Sequence, residues 1–319
     1  MINTIHFIDG EKGGVGKSLF ARVMMQRCID RNYPHTLVES DPSNPDVGEI
    51  YCNAVEEQED GIKKPIYKQV LFSESERKTY EADEIFELSL VSPIIVNLPA
   101  TAANLTTSWI DRNGLLNLKD KVKICKWFVS NGGYDSIQLF IKTLNHFQGE
   151  LQHVFVRNFG LCPTWAHIDN RKELQRLIKE YRVSVIDFPL FPYPERDYID
   201  EKRCTFDAAR ADDELGGILA QQRLATFLRQ SYEQIDTVEG IVWQPEEFNR
   251  AGEISVESYS QSNDESHSQS NGEGNNLRKG RGKKTKQQPV ATSTESSEVD
   301  VIELEHQGQE HQAFVEAVT

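Results

Sequence analysis

Cysteine is scarce in this sequence and carries no pattern. Cys28, Cys52, Cys125, Cys162 and Cys204 are odd in number and share no C-x-x-C spacing. That speaks against a disulfide framework and predicts reduced, mostly buried thiols. Long apolar runs are also missing: nowhere are 18 consecutive residues apolar, so no membrane-spanning helix and no stable membrane insertion are expected. The first residues pass straight into a strand pattern, without the basic n-region or apolar h-region of a signal peptide. Positive charge is in deficit, with 35 Lys and Arg against 50 Asp and Glu and a net charge of −15. Affinity of the whole surface for nucleic acid is thereby disfavoured, although a local basic patch is not. These features predict a soluble, cytoplasmic protein.

With 319 residues there is length for one large α/β domain or two smaller ones. Short apolar runs at 5–8, 35–38, 66–72, 91–96, 122–129, 151–156 and 183–188 read as strands, with Pro93 limiting the start of the fourth. Helical spacing lies between them at 19–25, 77–88, 103–116, 136–147 and 166–181, and again at 212–235, where Gly216-Gly217 predicts an interruption or kink. Strands alternating with helices imply parallel pairing in a doubly wound, mostly parallel α/β sheet flanked by helices. The composition changes near residue 250, which sets an expected boundary between a 1–249 domain and a 250–319 tail. Residues 255–298 are Ser, Gln, Asn, Gly and Glu with almost nothing large and apolar, and are expected to be disordered. Inside them, 278–286 is a compact basic cluster suited either to DNA phosphates or to solubility. Residues 299–319 are acidic with scattered apolar side chains and no Lys or Arg, which suits a short partner-binding segment better than an anionic membrane.

The chemistry is concentrated in Glu11-Lys12-Gly13-Gly14-Val15-Gly16-Lys17-Ser18, between an apolar strand and a helical run. Glycine takes positive φ without cost, so such a loop curls and aims successive amide N–H groups into one concavity at a helix N-terminus. Gly13, Gly14, Val15 and Gly16 would line it. Lys17 is placed to reach the β- and γ-phosphates of ATP, and the Ser18 hydroxyl to ligate Mg²⁺. The general pattern G-x-x-x-x-G-K-[ST] asks for glycine at position 11, where this chain has Glu11, and a second lysine, Lys12, precedes the paired glycines.

The Lys-Gly-Gly-Val-Gly-Lys-Ser run resembles the deviant Walker A motif of the ParA/MinD family of P-loop ATPases. That resemblance implies that Lys12 reaches across an ATP-dependent homodimer to the partner's nucleotide. Two further stretches match the family in order and spacing. Val38-Glu39-Ser40-Asp41-Pro42 resembles its switch I, an Asp-x-Asp-Pro pattern with Glu39 at the first aspartate. Asp41 matches the second, which implies that it positions the attacking water and steadies the Mg²⁺ shell through water. Ile95-Val96-Asn97-Leu98-Pro99 resembles switch II, with Asn97 at its aspartate. An amide oxygen still accepts a hydrogen bond from a Mg²⁺-bound water but brings no charge to the metal, so binding should survive and hydrolysis should be slow or depend on a partner. Asn158, at the end of a strand, stands where the family reads adenine; it reads equally well as an ordinary loop residue. Residues 189–194 are rich in Pro and aromatics and suit packing on the base. Trp127-Phe128-Val129-Ser130-Asn131 is loosely similar to the conjugation and mobilisation branch.

The likeness spans roughly residues 1–235 and implies an ATP-dependent switch that positions plasmid DNA or a conjugation or mobilisation complex, with a relaxase or a centromere-binding protein as its partner. A non-catalytic ATP-binding adaptor, with Asn97 marking lost hydrolysis, is the alternative from a different class. A P-loop ligase of the dethiobiotin-synthetase kind is disfavoured by Lys12. An iron–sulfur reductase would need a cysteine near Asn97, and the sequence has none there.

Overall fold

In the computed structural model the described residues are 2–10, 12–52, 54–57, 63–75 and 78–242. The expectations for Glu11 and for 250–319, including the basic cluster at 278–286, lie outside them. The elements run β1 (Asn3–Asp9), α1 (Lys17–Asp30), β2 (Thr36–Glu39), α2 (Asp46–Ile50), β3 (Ala54–Glu57), β4 (Lys63–Ile66) and β5 (Lys68–Gln69). Next come α3 (Asp83–Ser89), β6 (Ile94–Asn97), α4 (Ala103–Arg112), β7 (Val122–Ser130), α5 (Tyr134–Phe147), β8 (Gln152–Asn158), α6 (Ala166–Asp169) and α7 (Lys172–Glu180). The last are β9 (Ser184–Phe188), α8 (Tyr193–Lys202), α9 (Phe206–Arg210), α10 (Gly217–Asp236) and α11 (Glu239–Val242).

Seven strands form one sheet in the order β5-β2-β6-β1-β7-β8-β9, and every pairing in it is parallel. Residues alternate between its two faces. Ile8, Trp127, Val129, Val156 and Phe188 face α1 and α10, where Phe20, Met24 and Phe227 close over them. On the opposite side Phe7 and Val96 meet Trp109 and Ile110, and Phe128 and Phe155 meet Phe140. Burial on both faces is why these strands are continuous Val, Ile and Phe runs rather than alternating ones.

Several boundaries differ from expectation. The run 66–72 gives only the two-residue β5, because Lys63–Ile66 pairs antiparallel with Ala54–Glu57 in a separate hairpin. The 77–88 helix is only Asp83–Ser89. The 166–181 helix is two, broken where Arg171 adopts extended backbone (φ −76, ψ 100). The interruption expected at Gly216-Gly217 is present: both have positive φ, and Gly216 separates a 3₁₀ turn at Asp213–Leu215 from α10, which opens at Gly217. All five cysteines are free, but only Cys28 and Cys125 are buried.

β1 sits between β6 and β7, so the turn into α1 emerges flanked by the carboxyl ends of both. Glu39 at the end of β2, Asn97 of β6, Ser130 of β7 and Asn158 of β8 therefore share one edge of the sheet, the usual ligand edge of an open parallel sheet.

Candidate functional site

The chain leaves β1 at Asp9, whose carboxylate holds both ends of this exit. Its Oδ1 accepts from Gly10 N at 2.7 Å, and its Oδ2 lies 3.1 Å from Lys126 Nζ, with both side chains buried. Lys126 stands in the middle of β7, against Phe147. Sequence reasoning missed this pair; its only signal is a lysine inside an apolar strand. From Gly10 the loop curls to Gly16 at φ 98, and α1 opens at Lys17. A Cβ at Gly16 would lie 2.5 Å from Asn158 Nδ2, whereas at Gly13 and Gly14 it would meet nothing within 4 Å. The loop is thus closed on its inner side and open over its glycine pair.

The two lysines part company. Lys17 is buried, and its Nζ donates to Gly10 O at 2.9 Å and Lys12 O at 3.4 Å. Burial pulls its ammonium below the usual lysine range, while Asp9 and Asp41 oppose that. Lys12 points outward and pairs with Asp135 Oδ2 at 2.9 Å in the first turn of α5, with 47% and 65% of the two side chains exposed.

On the β2 side Glu39 is fully buried. Its Oε1 accepts from Asp41 N at 3.0 Å and Asn97 Nδ2 at 2.9 Å, and its Oε2 from Gly48 N at 3.1 Å. Burial pushes this carboxyl up to about 7, against the pull of the three donors. Asn97 is also fully buried, and its Oδ1 meets no donor among the described residues. Asp41 is only half-buried; its Oδ1 accepts from Ser43 N and Asn44 N, an Asx turn after the strand. The sequence singled out Asp41 and Asn97, but not the contact that joins Asn97 to Glu39.

Asn158 is tied to the loop from the far side. Its Nδ2 donates to Val15 O at 2.9 Å, and its Oδ1 accepts from Gly160 N at 2.9 Å. One N–H of the amide is thereby engaged in bracing the loop. In the 189–194 segment Phe191 turns into the core and stacks on Phe227 at 4.3 Å, while Leu190 stays exposed beside Gly160. Trp127 is a core residue, donating to His6 Nδ1 at 3.2 Å.

The donor set fits a magnesium nucleotide. The concavity over Gly13 and Gly14 is open, the Lys17 ammonium rests only on backbone carbonyls among the contacts described, and a buried amide oxygen lacks its donor. Among the described residues no cluster of three or more His, Cys, Asp or Glu could hold a metal alone. A divalent ion here would draw its ligands from Ser18, phosphate oxygens and waters, which is how Mg²⁺ is ordinarily held.

No protein-family model matches the chain. It is 24% identical to Protein TraL of Escherichia coli over 252 residues, 73% of this chain and 97% of that one. Over 56 residues it is 43% identical to Protein MobD of Acidithiobacillus ferrooxidans, 18% of this chain and 25% of that one. Solved structures that it resembles include MinD proteins and a ParA family ATPase. The septum site-determining protein MinD of Pyrococcus horikoshii, complexed with Mg-ADP, is 15% identical, with 76% of this chain and all of that one covered and a TM-score of 0.41. The fold itself stands on the strand order and the β1–α1 loop described above.

Proposed function

We propose that this protein is a ParA/MinD-like ATPase: an ATP-binding, slowly hydrolysing, dimerising switch that positions plasmid DNA or a conjugation or mobilisation complex. The divergence of the two loop lysines carries this reading. Lys17 is folded inward over the loop, while Lys12 stands half-exposed and, among the described residues, is tethered by a surface ion pair, which is worth at most about 1 kcal/mol and is easily exchanged for another anion. A lysine so placed can leave Asp135 for a phosphate on a second copy of the chain. The alignment with TraL along nearly its whole length supports the conjugation side, where a relaxase would be the partner; a centromere-binding protein would be the partner in partition.

The residues divide the work. The amides of residues 13–17 and the Lys17 ammonium would hold the phosphates, Ser18 would present a hydroxyl to Mg²⁺, and Asp41 and Asn97 would hold its waters. Bound Mg²⁺ would supply charge neutralisation to the phosphates. Asp41 orients the attacking water. The second reading, a non-catalytic adaptor, is favoured by Asn97, which brings no charge, and by the Asx turn that occupies one oxygen of Asp41.

Light scattering with Mg·ATP tests the switch: the wild type is expected to dimerise and Lys12→Ala to stay monomeric while binding ATP. Normal dimerisation of that variant would sink the reading of Lys12. Tight ATP binding with no turnover, alone or with DNA and the partner protein, would decide for the adaptor.

A further inference from the structure

Glu39 and Asn97 face each other as Cα partners in the pairing of β2 with β6, fully buried, with Nδ2 donating to Oε1 at 2.9 Å. The other two contacts of the Glu39 carboxyl are also N–H donors, from Asp41 and Gly48. Toward these three donors the carboxyl oxygens act as acceptors, and an amide that meets them there must turn its NH₂ toward them. The amide oxygen is then forced to the other side, and Asn97 Oδ1 is the atom that is buried without a donor among the described residues. An acceptor in that condition costs free energy until something donates to it. It sits on the strand beside the phosphate loop, where Asn97 pairs with Ile8.

We propose that Glu39 is a positioning residue that locks the Asn97 amide so that its oxygen is presented to a magnesium-bound water. This rests on the reading of the site as one for Mg·ATP. The arrangement also accounts for asparagine at position 97. An aspartate there would put a second carboxylate within hydrogen-bond distance of Glu39, in a place without solvent, and two such groups cannot both stay ionised. Asn97 is the residue that Glu39 permits, and the two form one unit: a carboxyl on β2 and the oxygen it aims on β6.

The test uses the full chain as wild type, Glu39→Gln, Asn97→Asp and the double variant. Two readouts are taken: the thermal midpoint without nucleotide, and the affinity for the fluorescent analogue mant-ATP in Mg²⁺ and in EDTA. Asn97→Asp alone is expected to lower the midpoint by roughly 5 °C or more. The double variant should recover most of that loss, because a glutamine amide on β2 can donate to an aspartate carboxylate on β6. Glu39→Gln should fold and bind mant-ATP normally in EDTA, but lose roughly tenfold of the tightening that Mg²⁺ brings, the scale of one hydrogen bond to a bound water. The double variant should regain this too. Additive midpoints across the cycle, or full Mg²⁺ dependence in Glu39→Gln, would overturn the lock. A wild type that binds mant-ATP no better in Mg²⁺ than in EDTA would overturn the magnesium reading itself, and the thermal cycle would still decide whether the pair is coupled.

Discussion

A methyl group at Gly16 meets two obstacles at once. The backbone there has φ 98, and the new Cβ would press on the Asn158 amide that braces Val15. Gly16→Ala is therefore expected to cost about 1–3 kcal/mol of stability and to abolish measurable ATP binding by calorimetry. Gly13→Ala is the control, because its Cβ would enter open space; its stability should stay within about 0.5 kcal/mol of the wild type. Equal losses in the two would mean that the contact with Asn158 does not shape the loop. At this scale the phosphate loop was legible in the sequence because its whole logic is contiguous: glycines, then Lys17 and Ser18, between a strand and a helix. The contacts that hold it were not. Glu39 finds Asn97 on another strand, and Asp9 finds Lys126 across the sheet. Glu39 and Asn97 each stand out in a motif of their own and Lys126 only as a lysine inside an apolar strand, and nothing in the order of residues says which side chain meets which.

Among the elements, α10 shows how a site far from the sheet edge is held in place. Arg27 of α1 is fully buried and pairs with Asp236 at 2.8 Å and Glu239 at 3.0 Å, and Arg31 pairs with Asp236 at 2.6 Å. Asp236 thus clamps the end of α10 to the helix that begins at the phosphate loop. Asp236→Ala should leave Arg27 with one acceptor fewer and lower stability by about 2–4 kcal/mol, read from the urea midpoint. A change under about 0.5 kcal/mol, the scale of a surface pair, would show that Glu239 alone suffices. The major strands and α1, α4 and α5 were legible because apolar runs and 3.6-residue spacing are strong signals. The β3–β4 hairpin was not, because half of the residues in Ala54–Glu57 and Lys63–Ile66 are charged and neither segment shows an apolar alternation. The break between α6 and α7 was hidden for a different reason: it is a backbone excursion at Arg171, a residue with no turn preference of its own.

For the molecule as a whole, burial under a two-faced sheet sets how stability responds to acid. His6 and His153 are fully buried and pulled down to about 3, chiefly by burial, with Arg27 acting on His6 and Lys126 on His153. The folded values lie below the unfolded one of about 6.5, so between about pH 6.5 and 3 the unfolded chain takes up protons that the folded chain refuses. Each histidine then removes about 1.4 kcal/mol per pH unit as the pH falls through that window, and contributes no slope above it. Glu39 works in the opposite sense. Its carboxyl, raised to about 7, makes the folded chain the better proton binder between about pH 7 and 4.5, which returns a similar amount per unit. The net expectation from these three groups is a loss of roughly 1.4 kcal/mol per unit from pH 6.5 to 5. His153→Phe isolates one contribution, since position 153 already lies against Phe140 and Phe147. In urea titrations at pH 7 and pH 5, the variant should lose about 2 kcal/mol less than the wild type over that interval. Parallel losses in the two proteins would mean that His153 is protonated in the folded chain, and that the buried Lys126 beside it does not keep it neutral.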